Sequence, residues 1–263
     1  MSNEQMHVFT RLFRLLLLFM IIKNYNYVML SIIIPCYNEE EAIKDNILNR
    51  VVPYLKYKNI KYELILVNDG STDKTLDEIM SIPNVNVVSY TPNRGKGYAI
   101  KQGLIEAKGD YILFMDADLS TDLKAIEDII QFQADYDMII GSRHHKASVL
   151  VKKQPLLRRF IGLCCRIIVN AKFHFHFTDT QCGFKAMNKE MARLLIEKQQ
   201  IDNFAFDVEY LYIAKLNKKK VKEIPVVWEN DRSSTVSPLQ SSIKFFKDLR
   251  VIKKAKENYY VKS

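Results

Sequence analysis

From Leu30 onward, short apolar runs alternate with stretches whose apolar residues recur at helical spacing. "LSIIIP" (30–35), "YELILVND" (62–69), "VNVVSY" (85–90), "DYILFMDAD" (110–118) and "DMIIGSR" (137–143) are rich in β-branched and aromatic residues and are bounded by turn formers, the signature of strands. Helices are predicted between them, near 40–56, 73–81, 97–107 and 122–133. Strands apolar on both faces, separated by helices, predict an α/β fold with a parallel sheet covered on both sides. Ligands bind such sheets at the carboxyl ends of the strands. Asn38 and Glu39, Asp69, Asp116 and Asp118, and Arg143 all fall at those ends.

After residue 143 the pattern changes. "PLLRRFIGLCCRIIVNAKF" (155–173) reads as a basic amphipathic helix, 206–217 as a helix, 221–228 as a strand, and 241–256 as a second basic amphipathic helix. No linker rich in Gly or Ser and no internal repeat divides the chain. Its 263 residues therefore read as one α/β domain over 30–231, preceded by a hydrophobic segment at 1–29 and followed by a basic helical segment at 232–263. In the first segment the uninterrupted apolar stretch runs only from Leu15 to Ile22. As a helix it covers roughly 12 Å, against the ~30 Å of a bilayer core, so it reads as a helix lying in the membrane interface.

Charge sharpens this picture. The net charge is +9, but residues 30–140 carry eleven Lys/Arg against eighteen Asp/Glu, whereas residues 141–178 carry eight Lys/Arg and no acid. A uniformly basic protein suggests nucleic acid. An acidic front half and a basic, aromatic-containing rear half suit an anionic membrane surface or lipid head group instead. Hydrophobic residues at 48% exclude a disordered chain. The four cysteines (Cys36, Cys164, Cys165, Cys182) have neither disulfide-framework density nor zinc spacing and imply a reducing, cytoplasmic setting; the adjacent Cys164 and Cys165 read as small core residues. Asp179 is the one acid within five residues of His144, His145, His174 and His176, and the histidines read as loop or strand residues. Trp228 reads as a core residue.

The candidate chemistry centres on Asp116 and Asp118. Asp-x-Asp alone is weak, because sixteen aspartates give about one such pair by chance. Asp135-Tyr136-Asp137 has the same spacing but leads from a helix into a strand, and reads as a solvated turn. Asp116 and Asp118 instead close the most apolar strand, where an extended chain would put both carboxylates on one side. Such hard oxygen ligands suit Mg²⁺ or Mn²⁺, which are held by one or two carboxylates together with substrate phosphates.

"SIIIPCYNEE", "LILVNDGSTDKT", "NRGKGYAIKQG", "MDADLS" and "GSR", in this order and at these spacings, resemble family 2 glycosyltransferases of the GT-A fold over most of residues 30–230. The resemblance implies a mostly parallel, Rossmann-like sheet, a nucleotide-sugar donor and inversion at the anomeric carbon. It implies that Pro35, Tyr37, Asn38 and Glu39 hold the base and ribose, that Asp69 contacts the base, and that Asp116 and Asp118 serve the ribose, metal and diphosphate. "NDGST" also reads as a plain turn and helix cap, and Lys96 in "NRGKG" as a helix start and not a ligand. "DTQCGFKAM" (179–187), "FAFDVEYLYIA" (204–214) and "EIPVVWEN" (223–230) are similar to dolichyl-phosphate glucosyltransferases and their bacterial polyprenyl-phosphate relatives. Ser120 stands where mannosyl relatives carry a metal-binding Gln, which disfavours GDP-mannose as donor and favours UDP-glucose.

The acceptor decides the mechanism. A sugar hydroxyl needs a general base, for which Asp207 is the candidate. A lipid phosphate, with a second pKa near 6, is already an anion and needs cations to receive it. Arg143, Arg158 and Arg159 match the positions by which the subfamily holds that phosphate, and arginine's planar fork suits it; Asp179 would support the metal or the arginines. The expected catalytic set is Asp118, Asp207 and Arg143, at the cytoplasmic membrane face. Elongation of a cell-surface saccharide, mannosyl transfer from GDP-mannose to the same lipid, and non-catalytic binding of a nucleotide-sugar are the alternatives.

Overall fold

The computed structural model describes residues 28–151, 156–229 and 238–261, so the interfacial helix expected upstream lies outside the described residues. The strands are β1 (Leu30–Cys36), β2 (Tyr62–Asp69), β3 (Asn86–Tyr90), β4 (Tyr111–Met115), β5 (Met138–Ser142), β6 (Val149–Leu150), β7 (Phe184–Asn188), β8 (Val221–Pro225) and β9 (Val227–Trp228). Seven of them form one sheet in the order β3-β2-β1-β4-β7-β5-β8. All its pairings are parallel except those of β7, which runs antiparallel to both β4 and β5. β6 and β9 pair in a separate parallel ribbon.

The strand residues divide between the two faces with the expected period of two. Ile33, Ile65, Phe114 and Ile140 pack on one side against Ala99 and Leu104 of α4 (Lys96–Glu106), Leu195 of α7 (Lys189–Lys198) and Phe206 and Leu211 of α8 (Phe206–Leu216). Ile32, Ile34, Leu64, Leu66 and Leu113 pack on the other side. They meet Ile43 of α1 (Ile43–Asp45), Ile47 of a π-helical stretch (Asn46–Val51) that leads into α2 (Val52–Tyr57), Ile79 of α3 (Thr75–Met80) and Ile126 of α5 (Ala125–Phe132). Both faces are dry, which is why these strands read as continuous apolar runs.

The basic helices complete the second half. α6 (Leu156–Phe173) buries Val169 and Phe173 in the first core. α9 (Pro238–Lys254) buries Phe245, Leu249 and Ile252 there, and in the turn that follows it the Tyr259 hydroxyl donates to Glu209 at 2.6 Å. The C-terminal segment is thus continuous with the domain core. Cys36 and Cys182 are buried, but Cys164 and Cys165 are only half-buried on α6, contrary to the core positions expected for them.

β7 and α7 were not predicted. Lys185 interrupts the apolar pattern of "FKAMN" and hides the strand. The structure explains the exception: Lys185 is fully buried, donates to the Cys182 carbonyl, and pairs with the Asp207 carboxylate. A buried lysine is stable only with such a partner.

Candidate active site

Four loops meet at the carboxyl edge of the parallel strands. The loop after β1 is laced to the loop after β2: Asn38 Oδ1 accepts from the Thr72 amide at 2.9 Å, the Asn38 amide donates to Ser71 Oγ at 3.1 Å, and the Glu39 amide to Thr75 Oγ1 at 2.7 Å. Asn38 occupies the left-handed region (φ 55°), which Asn tolerates better than most residues. Tyr37 beside it is left 47% exposed over the edge.

Asp69 ends β2 but turns inward. It is 3% exposed, and its carboxylate accepts from the Arg94 amide at 2.8 Å, the Gly95 amide at 3.0 Å and Asn93 Nδ2 at 3.0 Å. Its visible work is to hold the 93–95 loop from which α4 starts. In "NDGSTD" the turn bonds come from Asn68, which accepts from the Ser71 amide at 3.1 Å, and from Asp73, which accepts from the Thr75 amide at 3.0 Å. Gly70, at φ 65°, leaves no room for a side chain: a Cβ there would meet the Asn93 amide nitrogen at 2.5 Å.

β4 stops at Met115, and Asp116 and Asp118 sit in a tight turn, not on the extended chain expected from the pattern. The Leu119 amide donates to the Asp116 carbonyl at 3.2 Å, Leu119 takes a left-handed φ of 51°, and the Ser120 amide donates to Asp118 Oδ1 at 2.9 Å. An aspartate that accepts from the amide two residues on favours such a turn over continued strand. Burial and the neighbouring Asp116 push the Asp118 carboxyl above its ordinary range, Ser120 and Lys96 only partly opposing them.

Across the edge, β5 delivers Arg143. Its Nε donates to Asp179 Oδ2 at 2.6 Å and its Nη2 to Asp179 Oδ1 at 2.9 Å, a fork-to-fork pair that holds the guanidinium in one orientation. Asp179 is buried; burial alone would raise its pKa, but the adjoining Arg143 outweighs it and holds the carboxyl well below the usual carboxylate range. Glu223 in turn accepts from the Thr178 amide at 2.8 Å and the Asp179 amide at 3.0 Å. The fork uses two of the guanidinium's five N–H donors, which leaves three for a ligand. Arg143 also lies 5.7 Å from the Trp228 ring, so Trp228 borders the site as well as packing on the core.

One short loop joins the two halves. At its start Asp179 grips Arg143; at its end Gly183 comes so close to Asp116 that an added Cβ would lie 2.0 Å from Asp116 Oδ2. Four residues of chain reach at most roughly 14 Å, so Arg143 and the acid pair cannot lie far apart. Consistently, Arg143 and Asp116 feel each other electrostatically. A sequence profile of the family described as Glycosyl transferase family 2 matches residues 31–195, the span that contains Asp69, the acid pair, Arg143, Asp179 and Gly183.

The chain belongs to glycosyl transferase family 2.

Among curated relatives, it is 34% identical over 239 residues to the dolichyl-phosphate beta-glucosyltransferase of Dictyostelium discoideum, covering 84% of this chain and 73% of that protein. The human dolichyl-phosphate beta-glucosyltransferase is 31% identical over 242 residues, with 85% and 74% covered. Among solved structures, glucosyl-3-phosphoglycerate synthase from Mycobacterium tuberculosis, in complex with Mn²⁺, UDP-glucose and phosphoglyceric acid, superposes with a TM-score of 0.65 at 18% identity, covering 87% of this chain and 80% of that one. The expected GT-A architecture is therefore the fold of this glycosyltransferase.

The remaining site residues of this family 2 enzyme divide between the site and its support. Pro35 lies within β1 beside Val67. Arg159 is exposed on α6, and the side chain of Arg158 falls outside the described residues. Asp207 is 4% exposed and bonded to Lys185, beneath the edge and not on it. Burial, the leading influence, raises its carboxyl against the pull of Lys185 and Lys96. The four histidines lie in turns after β5 and after α6. Of the Asp135/Asp137 pair, Asp135 is exposed while Asp137 takes the Lys220 amide at 2.7 Å, tying β8 to β5.

Three contributors escaped the sequence reading. Lys96 pairs with Asp116 Oδ1, Lys185 neutralises Asp207, and Glu223 positions the 178–179 backbone. Pattern signals none of them, because each acts on a partner at least twenty residues away.

The donor set at Asp116 and Asp118 fits a hard divalent cation: two carboxylates in one turn, with the Asp118 carboxyl raised first by burial and then by the neighbouring negative charge. Gly183 gives the first mutational test. Gly183→Ala is expected to push Asp116 aside and lower kcat/KM by about 10²-fold, since misplacement of about 1 Å costs that much. Wild-type turnover in the alanine variant contradicts the close approach.

Proposed function

We propose that this glycosyltransferase moves glucose from UDP-glucose to a polyprenyl or dolichyl phosphate at a membrane surface. The carrying observation is the pairing, through residues 179–183, of an acid pair suited to a metal-bound diphosphate with a pre-oriented guanidinium suited to a second phosphate. An acceptor phosphate is ionised at neutral pH and needs no base. Asp207 supports this reading over a sugar acceptor: it is buried and held by Lys185, unlike a base presented to an incoming hydroxyl.

The division of labour follows. Tyr37, Asn38 and Glu39 line the base and ribose end, with Asp69 shaping that end through the 93–95 loop. Asp116 and Asp118 would hold Mg²⁺ or Mn²⁺, which when bound stabilises charge on the departing diphosphate. Arg143, fixed by Asp179 and Glu223, orients the acceptor oxygen toward the anomeric carbon on the side opposite the diphosphate. Arg158 and Arg159 stand on α6 as further cations for the lipid head group.

The surface around Arg143 supports a lipid partner. α6 leaves Phe160 64% and Ile167 58% exposed, with Leu163 between them, an outward apolar stripe at helical spacing. Val149, Leu150 and Val227 are exposed on the neighbouring β6–β9 ribbon. Hydrogen bonds join the two: Arg166 of α6 donates to the Thr178 carbonyl at 3.3 Å, Thr178 Oγ1 meets Ser142 Oγ at 2.6 Å, and Ser148 Oγ donates to the Ser142 carbonyl at 2.5 Å. Apolar groups interspersed with arginines suit a head-group boundary on the cytoplasmic face. Among the described residues no helix is long and apolar enough to cross a membrane.

The test is direct. Purified protein with labelled UDP-glucose, Mg²⁺ and polyprenyl phosphate in detergent or vesicles is expected to place label in a lipid that mild acid releases. Transfer only to a soluble glycan, or to lipid only from another nucleotide-sugar, overturns the assignment.

A further inference from the structure

Lys96 has no part in the chemistry just described, yet it occupies the centre of the site. It opens α4 immediately after Gly95, whose φ of 106° turns the chain into the helix. Its ammonium is ion-paired with Asp116 Oδ1, and its side chain keeps only a fifth of its surface exposed. Asp207 and Asp118 also act on it. Asp207 cannot take Lys96 as its main partner, because Lys185 already fills that place from below.

This arrangement conflicts with occupation of the acid pair by a divalent ion. Asp116 cannot keep the ammonium and receive a doubly charged cation on the same oxygen, since the two cations repel at close range. Once such an ion neutralises both carboxylates, Lys96 loses its partner, and a largely desolvated ammonium is drawn to another anion. Its flexible four-carbon stem lets the charge move a few ångströms without movement of α4. The anion that enters this edge together with a divalent ion is a diphosphate.

We propose that Lys96 is an internal counter-ion that couples metal binding to diphosphate binding: it holds Asp116 while the donor is absent and transfers to the diphosphate when a divalent ion displaces it. The proposal rests on the donor-site reading of Asp116 and Asp118. Its consequence is reciprocal: the diphosphate strengthens metal binding, and the metal strengthens diphosphate binding, by the same factor. Direct contact of the metal with the diphosphate supplies part of this coupling whatever Lys96 does; a purely structural Lys96–Asp116 pair would leave the coupling unchanged when Lys96 is replaced.

The experiment is a Mn²⁺ titration of the full chain, read from the electron paramagnetic resonance signal of the free aquo ion, with and without UDP. In Lys96→Met, Mn²⁺ alone is expected to bind about tenfold tighter than in the wild type, and the enhancement by UDP to shrink by about the same factor. Lys96→Arg keeps the charge and forks onto the carboxylate, so Mn²⁺ alone should bind it no more tightly than the wild type. Mn²⁺ affinity in Lys96→Met equal to or below the wild type's, with the UDP enhancement intact, overturns the coupling and leaves the donor site standing. Absence of Mn²⁺ binding to the wild type, with UDP present or not, overturns both. If Lys96→Met fails to fold, tighter Mn²⁺ binding by Lys96→Arg than by the wild type overturns the proposal.

Discussion

Asp118→Asn is expected to lower kcat/KM about 10³-fold, roughly 4 kcal/mol of transition-state stabilisation, without destabilising the protein. The substitution removes a charge and keeps the side chain's shape. Asn can still accept the Ser120 amide through Oδ1, so the turn survives. What disappears is one of two negative charges for a divalent cation. The folded protein resists that charge, since burial and Asp116 raise the Asp118 pKa. The sign follows for stability. A carboxyl whose folded pKa is raised lowers stability as pH rises through its unfolded and then its folded pKa, so at neutral pH the ionised Asp118 is a cost. The melting temperature of Asp118→Asn at pH 7 should equal or slightly exceed the wild type's. A marked fall in melting temperature, or near-normal turnover, contradicts the assignment; thermal melts and initial rates measure both.

Arg143→Ala is expected to do the opposite to stability while also abolishing lipid-phosphate transfer. It leaves Asp179 buried and ionised with only the backbone amides of residues 143 and 181 and no cationic partner, which costs about 3–5 kcal/mol. The pH dependence then reverses. In the wild type the depressed Asp179 pKa contributes stability that is present above the ordinary aspartate range and is lost as pH falls through the folded value. In the alanine variant the same carboxyl is held above its ordinary range by burial, so mild acidification should stabilise it. Arg143→Lys keeps a charge for Asp179 but not the fork, and should fold. Its expected defect is about 10²-fold in kcat/KM with respect to the acceptor phosphate, with KM for the nucleotide-sugar unchanged. A defect confined to the donor would place Arg143 on the wrong half of the site. Urea denaturation between pH 4 and pH 8 and two-substrate kinetics distinguish these outcomes.

Parallel strands buried on both faces announce themselves as apolar runs, and β1, β2, β4 and β5 appear where those runs predict them. β7 did not, because Lys185 breaks its short apolar run, and a buried lysine becomes intelligible only when Asp207 is seen beside it. The acid pair was legible from its position after the most apolar strand, but its geometry was not. Left-handed Leu119 and the Ser120 amide bend the chain, and neither leaves a compositional trace. Arg143 was legible as a charged residue ending a strand. Its orientation comes from Asp179 and Glu223, thirty-six and eighty positions along the chain, the first brought in by the loop that leads into antiparallel β7 and the second by the parallel pairing of β8 with β5. The C-terminal helix showed its amphipathic period, while the contact that ties its end to the core, Tyr259 on Glu209, spans fifty residues.

The account depends on a diphosphate at Asp116 and Asp118 and an acceptor phosphate at Arg143 facing each other across one cavity. The most direct test is ³¹P relaxation of a short isoprenoid phosphate, citronellyl phosphate, bound to the protein in the presence of Mn²⁺ and UDP. Reacting atoms must approach to about 3–3.5 Å, so the acceptor phosphorus should lie close to the paramagnetic ion and its resonance should broaden strongly, an effect lost in Arg143→Lys. An acceptor that binds with its ³¹P resonance left sharp would put the two anions in separate places and contradict the account.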